Sequence, residues 1–311
     1  MSGTFFQRKQ VIVLVAVFCT FLWGCAYPAV KLGYSLLGIA SGDMAGQMVF
    51  AGLRFSLAGV AALVLAACLK RKLPLPEKSQ WPGILMLGAL QTGIQYFFFY
   101  VGLAHTTGVR GSIFNTTSTF MTVLLTGLVF RKTDPLTPRK LIGCALGLSG
   151  AVLINLNGPL AAPFTLLGDG FVLLSAASLA VGALMTKAFT QNSDPLLLTG
   201  WQLFVGGVLL LVAGLALGGR ITQWSGKAAA LLAFMVFIST AAFTLWTYLL
   251  KYNQVSSITV FNSLIPIFGV TLSGLVLGEK FLSLTSIAAL ALVCLGILVV
   301  NYSGKETQSH R

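Results

Sequence analysis

Apolar runs of about 20 residues recur along the chain, separated by short polar or charged breaks, and such a run is long enough to cross ~30 Å of hydrocarbon as a helix. Ten can be counted, at roughly 11–31, 46–69, 81–103, 109–130, 139–157, 168–187, 195–217, 228–250, 256–278 and 282–302. The connections between them leave no room for a soluble domain. The pattern therefore predicts an all-α polytopic membrane protein with ten transmembrane helices. The run at 168–187 is rich in Ala, Ser and Gly, which leaves its limits open by several residues.

Polar residues inside these runs fall in stripes. In the fourth run, Asn115, Thr119, Thr122 and Thr126 follow i, i+4, i+7, i+11 and share one helical face. Asn262, Pro266, Gly269 and Ser273 do the same in the ninth, where Pro266 is expected to remove a backbone hydrogen bond and bend the helix. Small and hydroxylated residues also suit close helix packing, with hydroxyls bonded to carbonyls of the preceding turn. A primary amide cannot be satisfied that way, so Asn115 and Asn262 point to a cavity or a contact between helices. Gln91 and Gln95 lie one turn apart in the third run, next to Tyr96 and Tyr100; Trp23 and Tyr27 are similarly spaced in the first, and the eighth holds Phe243, Trp246, Thr247 and Tyr248. Flat rings combined with amides suit a small metabolite with an apolar or aromatic body and a polar head. The candidate substrate-binding residues are Tyr27, Gln95, Tyr96, Asn115, Thr119, Trp246 and Asn262.

The two Asn stripes belong to a longer repeat. An offset of 147 carries Phe114, Asn115, Gly127, Leu128 and Val129 onto Phe261, Asn262, Gly274, Leu275 and Val276. Gly52, Gly59 and Val60 map at 148 onto Gly200, Gly207 and Val208, and Gly150 and Asn155 map at 146 onto Gly296 and Asn301. Residues 1–157 and 158–311 thus form two five-helix repeats. An odd number of spans per repeat makes them insert with opposite orientation, the arrangement used for alternating access.

Composition fits: 56% of residues are hydrophobic and 9% charged, against ~25% charged in a soluble domain. The net charge of +13 would suggest nucleic acid until the cations are placed. With the N-terminus inside, 14 of the 20 Lys and Arg lie on the cytoplasmic side, 5 outside and one, Arg54, within a span. This asymmetry satisfies the positive-inside rule, puts both termini in the cytoplasm and removes the case for nucleic acid. The five cysteines lack a CxxC spacing and read as small hydrophobes. Arg54 is expected to be structural or gating, with Glu279, at the outer end of the ninth run, as a partner on topology alone.

Several short motifs carry a family resemblance: Trp23-Gly24 with Lys31, Arg54-Phe55 with Ala58-Gly59, Trp201-Gln202, and Pro266 followed by Gly274-Leu275-Val276-Leu277-Gly278-Glu279. In order and spacing they resemble the drug/metabolite transporter superfamily, specifically its EamA-type ten-helix exporters, over essentially the whole chain. The resemblance implies a carrier of the inner (plasma) membrane that exports small metabolites, amino acids or related compounds foremost. It implies no cofactor and no metal, a monomer or homodimer in the lipid bilayer, and protons as a candidate coupling ion. Lys31, Arg54, Pro266 and Glu279 are its gating or structural candidates. The first repeat departs from the pattern, with Thr119 and Lys132 opposite Pro266 and Glu279.

The alternatives are a proton-coupled drug or cation exporter and, in a different class, a membrane-embedded transferase. The first is disfavoured because all seven acids fall in loops, tails or helix ends, leaving no central carboxylate. An enzyme is disfavoured because His105 and His310 sit in a loop and the tail, away from any catalytic cluster. There is no GxxxxGK[ST] phosphate loop either.

Overall fold

The computed structural model describes residues 3–70, 75–129, 135–156, 163–191, 193–253, 255, 258, 260–279 and 284–302. Those residues are all-helical, with no strand among them. We number the principal helices α1 (Lys9–Leu37), α2 (Met44–Lys70), α3 (Lys78–Ala104), α4 (Gly108–Val129), α5 (Pro138–Leu156), α6 (Leu166–Thr190), α7 (Pro195–Ala216), α8 (Gly226–Tyr252), α9 (Leu264–Leu277) and α10 (Leu284–Tyr302). Among the described residues, seven of these (α1–α4 and α6–α8) are long and apolar enough to cross a membrane. Their outward faces carry large exposed apolar side chains such as Leu14, Val64, Val212 and Phe237, as a lipid-facing surface requires.

Local chemistry sets the ends. α1 runs past Lys31 to Leu37 and stops at Gly38, whose φ of 66° is the left-handed cap that glycine adopts without strain. Asp194 accepts hydrogen bonds from the amides of Leu196 and Leu197 and so caps α7, whose Pro195 lacks the donor that would otherwise be orphaned. At the far end of α8, Lys187 donates to the carbonyls of Leu250 and Asn253 at 2.8 and 3.0 Å, a cation at a helix C-terminus. Lys187 therefore caps α8.

Two helices are interrupted where the cavity lies. α4 breaks at Thr116, where Thr116 and Thr119 bond to carbonyls three residues back instead of four. The hydroxyls of Thr116 and Thr117 take the carbonyls of Ser112 and Phe114, competing with the helical ladder. α9 starts only at Leu264, after a tight 3-10 turn over Val260–Ser263. The expected ninth run therefore holds a 3-10 turn at Val260–Ser263, and α9 itself is only ~21 Å long at 1.5 Å per residue. Pro266 falls in the first turn of α9, where its missing N–H has no helical partner to lose. Pro266 is expected to bend or locally open the helix, and the 3-10 turn lies directly before it; the break in α4 has Thr119 at the equivalent position and no proline. α3 carries a third irregularity, a wide π turn over Gly88–Ile94 that re-phases Gln91 toward the interior.

The tightest packing joins α2 to α7. A Cβ on Gly52, Gly59 or Gly207 would run into the backbone of Leu211, Phe204 or Ser56 respectively, and one on Gly214 would meet Val49. As the residue number rises along α2 its partner on α7 falls, so these repeat-equivalent helices cross antiparallel at backbone contact. α5 and α10 pair in the same intimate way, Gly296 lying against Gly143 and Gly147. α1 packs on α8 and α9, α6 on α3 and α4, and α3 on α7.

Candidate functional site

Between these helices lies a cavity of about 90 Å³. One water needs ~10–15 Å³ on such a measure, so there is room for several waters or the polar part of a small molecule. All seven candidate substrate-binding residues face it: Tyr27 from α1, Gln95 and Tyr96 from α3, Asn115 and Thr119 from α4, Trp246 from α8 and Asn262 from the turn before α9. Arg54 from α2 and Gln202 from α7 complete the ring. Lys31, Pro266 and Glu279 are not part of its lining.

One wall is aromatic. Trp23 meets Trp246 edge-on with ring centroids 4.9 Å apart and Phe243 at 5.7 Å, while Tyr27 meets Phe99 at 5.5 Å. Edge-to-face rings hold each other's orientation and leave a flat face for a ligand. Tyr248 is not among them, contrary to expectation. It stacks on Phe6 and Tyr252, because two residues beyond Trp246 is slightly more than a half-turn away, on the opposite face of α8.

The other wall is amide and hydroxyl. Asn115 donates through Nδ2 to the Tyr27 hydroxyl at 3.0 Å, and Thr186 donates to Gln91 Oε1 at 2.8 Å. Gln95 Oε1, Asn115 Oδ1, Asn262 Oδ1, Thr119 Oγ1 and Trp23 Nε1 are buried without a hydrogen-bond partner among the described residues. Buried polar atoms are ordinarily satisfied, so orphans around one cavity identify groups that water or a ligand completes. The stripe splits at this point. Gly269 lies against Ser112 and Tyr27 and Ser273 against Gly108, so those positions serve helix packing while the two amides meet the cavity.

Arg54 does not meet Glu279. It donates through Nε to Ser239 at 2.9 Å and through Nη1 to the Tyr100 hydroxyl at 3.1 Å, with its guanidinium 4.8 Å from the Phe55 ring centroid. Glu279 instead accepts from the amides of Gly108 and Val109 at 3.0 and 2.9 Å, capping the N-terminus of α4 from the end of α9. A carboxylate suits a helix N-terminus, and this use outweighs a distant arginine. Lys132, its counterpart in the first repeat, lies outside the described residues.

A second buried cation was not expected. Arg110, counted among the outer charges, pairs with Asp169 at 2.8 Å, with side-chain exposures of 4% and 2%. Thr106 and the amide of Thr165 also donate to Asp169, tying the start of α4 to the start of α6. Opposite charges at the same end of two runs were the available signal; which runs are neighbours was not.

An all-helical bundle with an amide-rich and aromatic cavity at its centre is the plan of a multi-pass membrane transporter. Two segments, residues 10–156 and 166–302, match the model of the EamA-like transporter family, and the chain belongs to that family. It is similar to a WAT1-related chloroplastic protein of Arabidopsis thaliana, at 27% identity over 97% of this chain and 70% of the relative. It is also similar to the uncharacterized transporter YvbV of Bacillus subtilis, at 26% identity over 97% and 95% of the two chains. A protein of known crystal structure superposes with a TM-score of 0.73 at 17% identity, covering 96% of this chain and 99% of the other, a likeness of fold.

Proposed function

We propose that this protein is a secondary carrier that exports small metabolites, amino acids or related compounds foremost, by rocking two inverted five-helix repeats about the central cavity. The repeats are residues 1–157 and 158–311, with ten spans in the inner membrane and both termini in the cytoplasm. The observation that carries the reading is the symmetry of the cavity. Asn115 and Asn262 are repeat equivalents, as are Arg54 and Gln202 at the 148 offset, and all four face one space. The antiparallel crossing of α2 and α7 agrees, since helices related by an in-plane two-fold axis run in opposite directions.

Substrate enters against the Trp23–Trp246 wall and offers its polar head to the amides of Gln95, Asn115 and Asn262. The interrupted helices place backbone turns beside the cavity, where irregular backbone is tolerated because it is buried in protein. Glu279, fixed on the start of α4, and Lys31 act at the rim rather than as ligands. Counterflow in proteoliposomes of purified protein, across a panel of amino acids, amines and nucleobases, tests the proposal. Exchange of an amino acid is expected; no counterflow of any compound in the panel overturns the substrate class.

A further inference from the structure

Arg54 is the only charged residue among those lining the cavity, and it is 1% exposed. No carboxylate lies within 4.0 Å of it among the described residues. Its partners among the described residues are two neutral hydroxyls and the face of Phe55, and Nη2 makes no hydrogen bond to them. A buried cation without a counter-charge is held at a cost of several kcal/mol by desolvation, and neutral dipoles offset only part of it. The contrast lies within the same molecule: Arg110, equally buried, has Asp169.

Two hydrogen bonds from different helices, Ser239 on α8 and Tyr100 on α3, fix the plane of the guanidinium before any ligand arrives. Tyr100 is itself held in a buried aromatic set with Phe50, Phe55 and Tyr34. A planar guanidinium with an open edge is the side chain best matched to a carboxylate, which it binds as a fork of parallel hydrogen bonds. At the equivalent position the second repeat has Gln202, which carries no charge. The cavity therefore holds one positive charge, enough to neutralise a monoanion and too little for a phosphate dianion.

We propose that Arg54 is a substrate-binding residue that receives the carboxylate of an organic monoanion, so that the carried species has a carboxylate beside its apolar body. This rests on the carrier reading and names the part of the substrate that reading leaves open. Acceptor oxygens on Gln95, Asn115 and Asn262 serve whatever donors that molecule bears, and the aromatic wall serves its body.

The test uses three probes that share a phenethyl body suited to the aromatic wall: 3-phenylpropanoate, its isosteric neutral amide 3-phenylpropanamide, and phenethylamine. Binding to the purified protein in detergent is read by thermal stabilisation at constant chloride, and exchange by counterflow in proteoliposomes. The carboxylate is expected to bind at least about tenfold more tightly than the amide, a difference of ~1.4 kcal/mol, and phenethylamine least well. In Arg54→Gln the preference should fall to near unity through loss of the carboxylate alone, and Arg54→Lys should restore part of it. Equal binding of amide and carboxylate to the natural protein overturns the inference without needing any variant to fold, as does an unchanged preference in folded Arg54→Gln. The two readings separate cleanly: counterflow of the amide as fast as the carboxylate keeps the carrier and removes the carboxylate seat. Selective carboxylate binding without counterflow of any probe does the reverse.

Discussion

Asn115 ends the first segment of α4 and Asn262 lies in the 3-10 turn before α9, each with an amide oxygen that has no hydrogen-bond partner among the described residues. Replacing either with Leu removes the orphan and fills the space with apolar volume that a polar ligand cannot use; Asn115→Leu also leaves the Tyr27 hydroxyl without its donor, a cost of ~1–3 kcal/mol that a folded carrier can absorb. Asn115→Leu and Asn262→Leu are therefore expected to abolish counterflow while leaving the yield of folded protein near normal, as judged by gel filtration in detergent. Loss of folded protein instead would mean that the amides serve packing. Glu279 is a different case. Its two backbone hydrogen bonds are charge-assisted, and each such bond contributes ~1.5–3 kcal/mol. Glu279→Gln keeps one acceptor, so a lower thermal midpoint with transport retained is expected. A collapse of pH-driven uptake in that variant, with the protein still folded, would make Glu279 a proton-coupling group.

At the scale of elements, the crossing of α2 and α7 is the tightest joint in the bundle. Glycines spaced by seven on each helix, Gly52 and Gly59 on one and Gly200, Gly207 and Gly214 on the other, present one face to the partner. Backbone cannot move aside as a side-chain tip can, so Gly59→Leu or Gly207→Leu should exceed the usual ~1–3 kcal/mol of overpacking. Little or no monodisperse protein is expected, whereas Gly226→Leu, where an added side chain meets open space, should be recovered at the natural level. These glycines were legible in the sequence as repeat markers. The interruptions of α4 and α9 were less so, because apolar composition continues through them and the run gives no sign that its backbone has changed geometry. The π turn in α3 was invisible for the same reason. Of its glycines, Gly88 packs against Gln202 and Val205 of α7, while Gly93 meets only its own helix.

For the whole molecule, the proposed inversion of the repeats makes a topological prediction. Lys78 and Lys227 lie at the starts of α3 and α8, which correspond in the proposed repeat, and both are exposed. In a background without native cysteines, Lys227→Cys should react with a membrane-impermeant maleimide added to intact cells. Lys78→Cys should react only after permeabilisation. Labelling of both from the same side would rule out inversion of the repeats.

What the chain by itself determined is the set of helices, their apolar faces, the repeat, and which residues of each helix share a stripe. Those follow from local periodicity and from the cost of polar groups in hydrocarbon, both of which act residue by residue. Even the seven cavity candidates were readable, since an amide or ring that cannot face lipid must face inward. Only the tertiary structure decided who meets whom. That Arg54 has two hydroxyls for company while Arg110 has Asp169, and that Glu279 caps α4, depends on which helix ends are brought together. Charges at similar depth are interchangeable in a sequence. In a packed bundle, the neighbouring helices decide whether an arginine meets a carboxylate or a pair of hydroxyls.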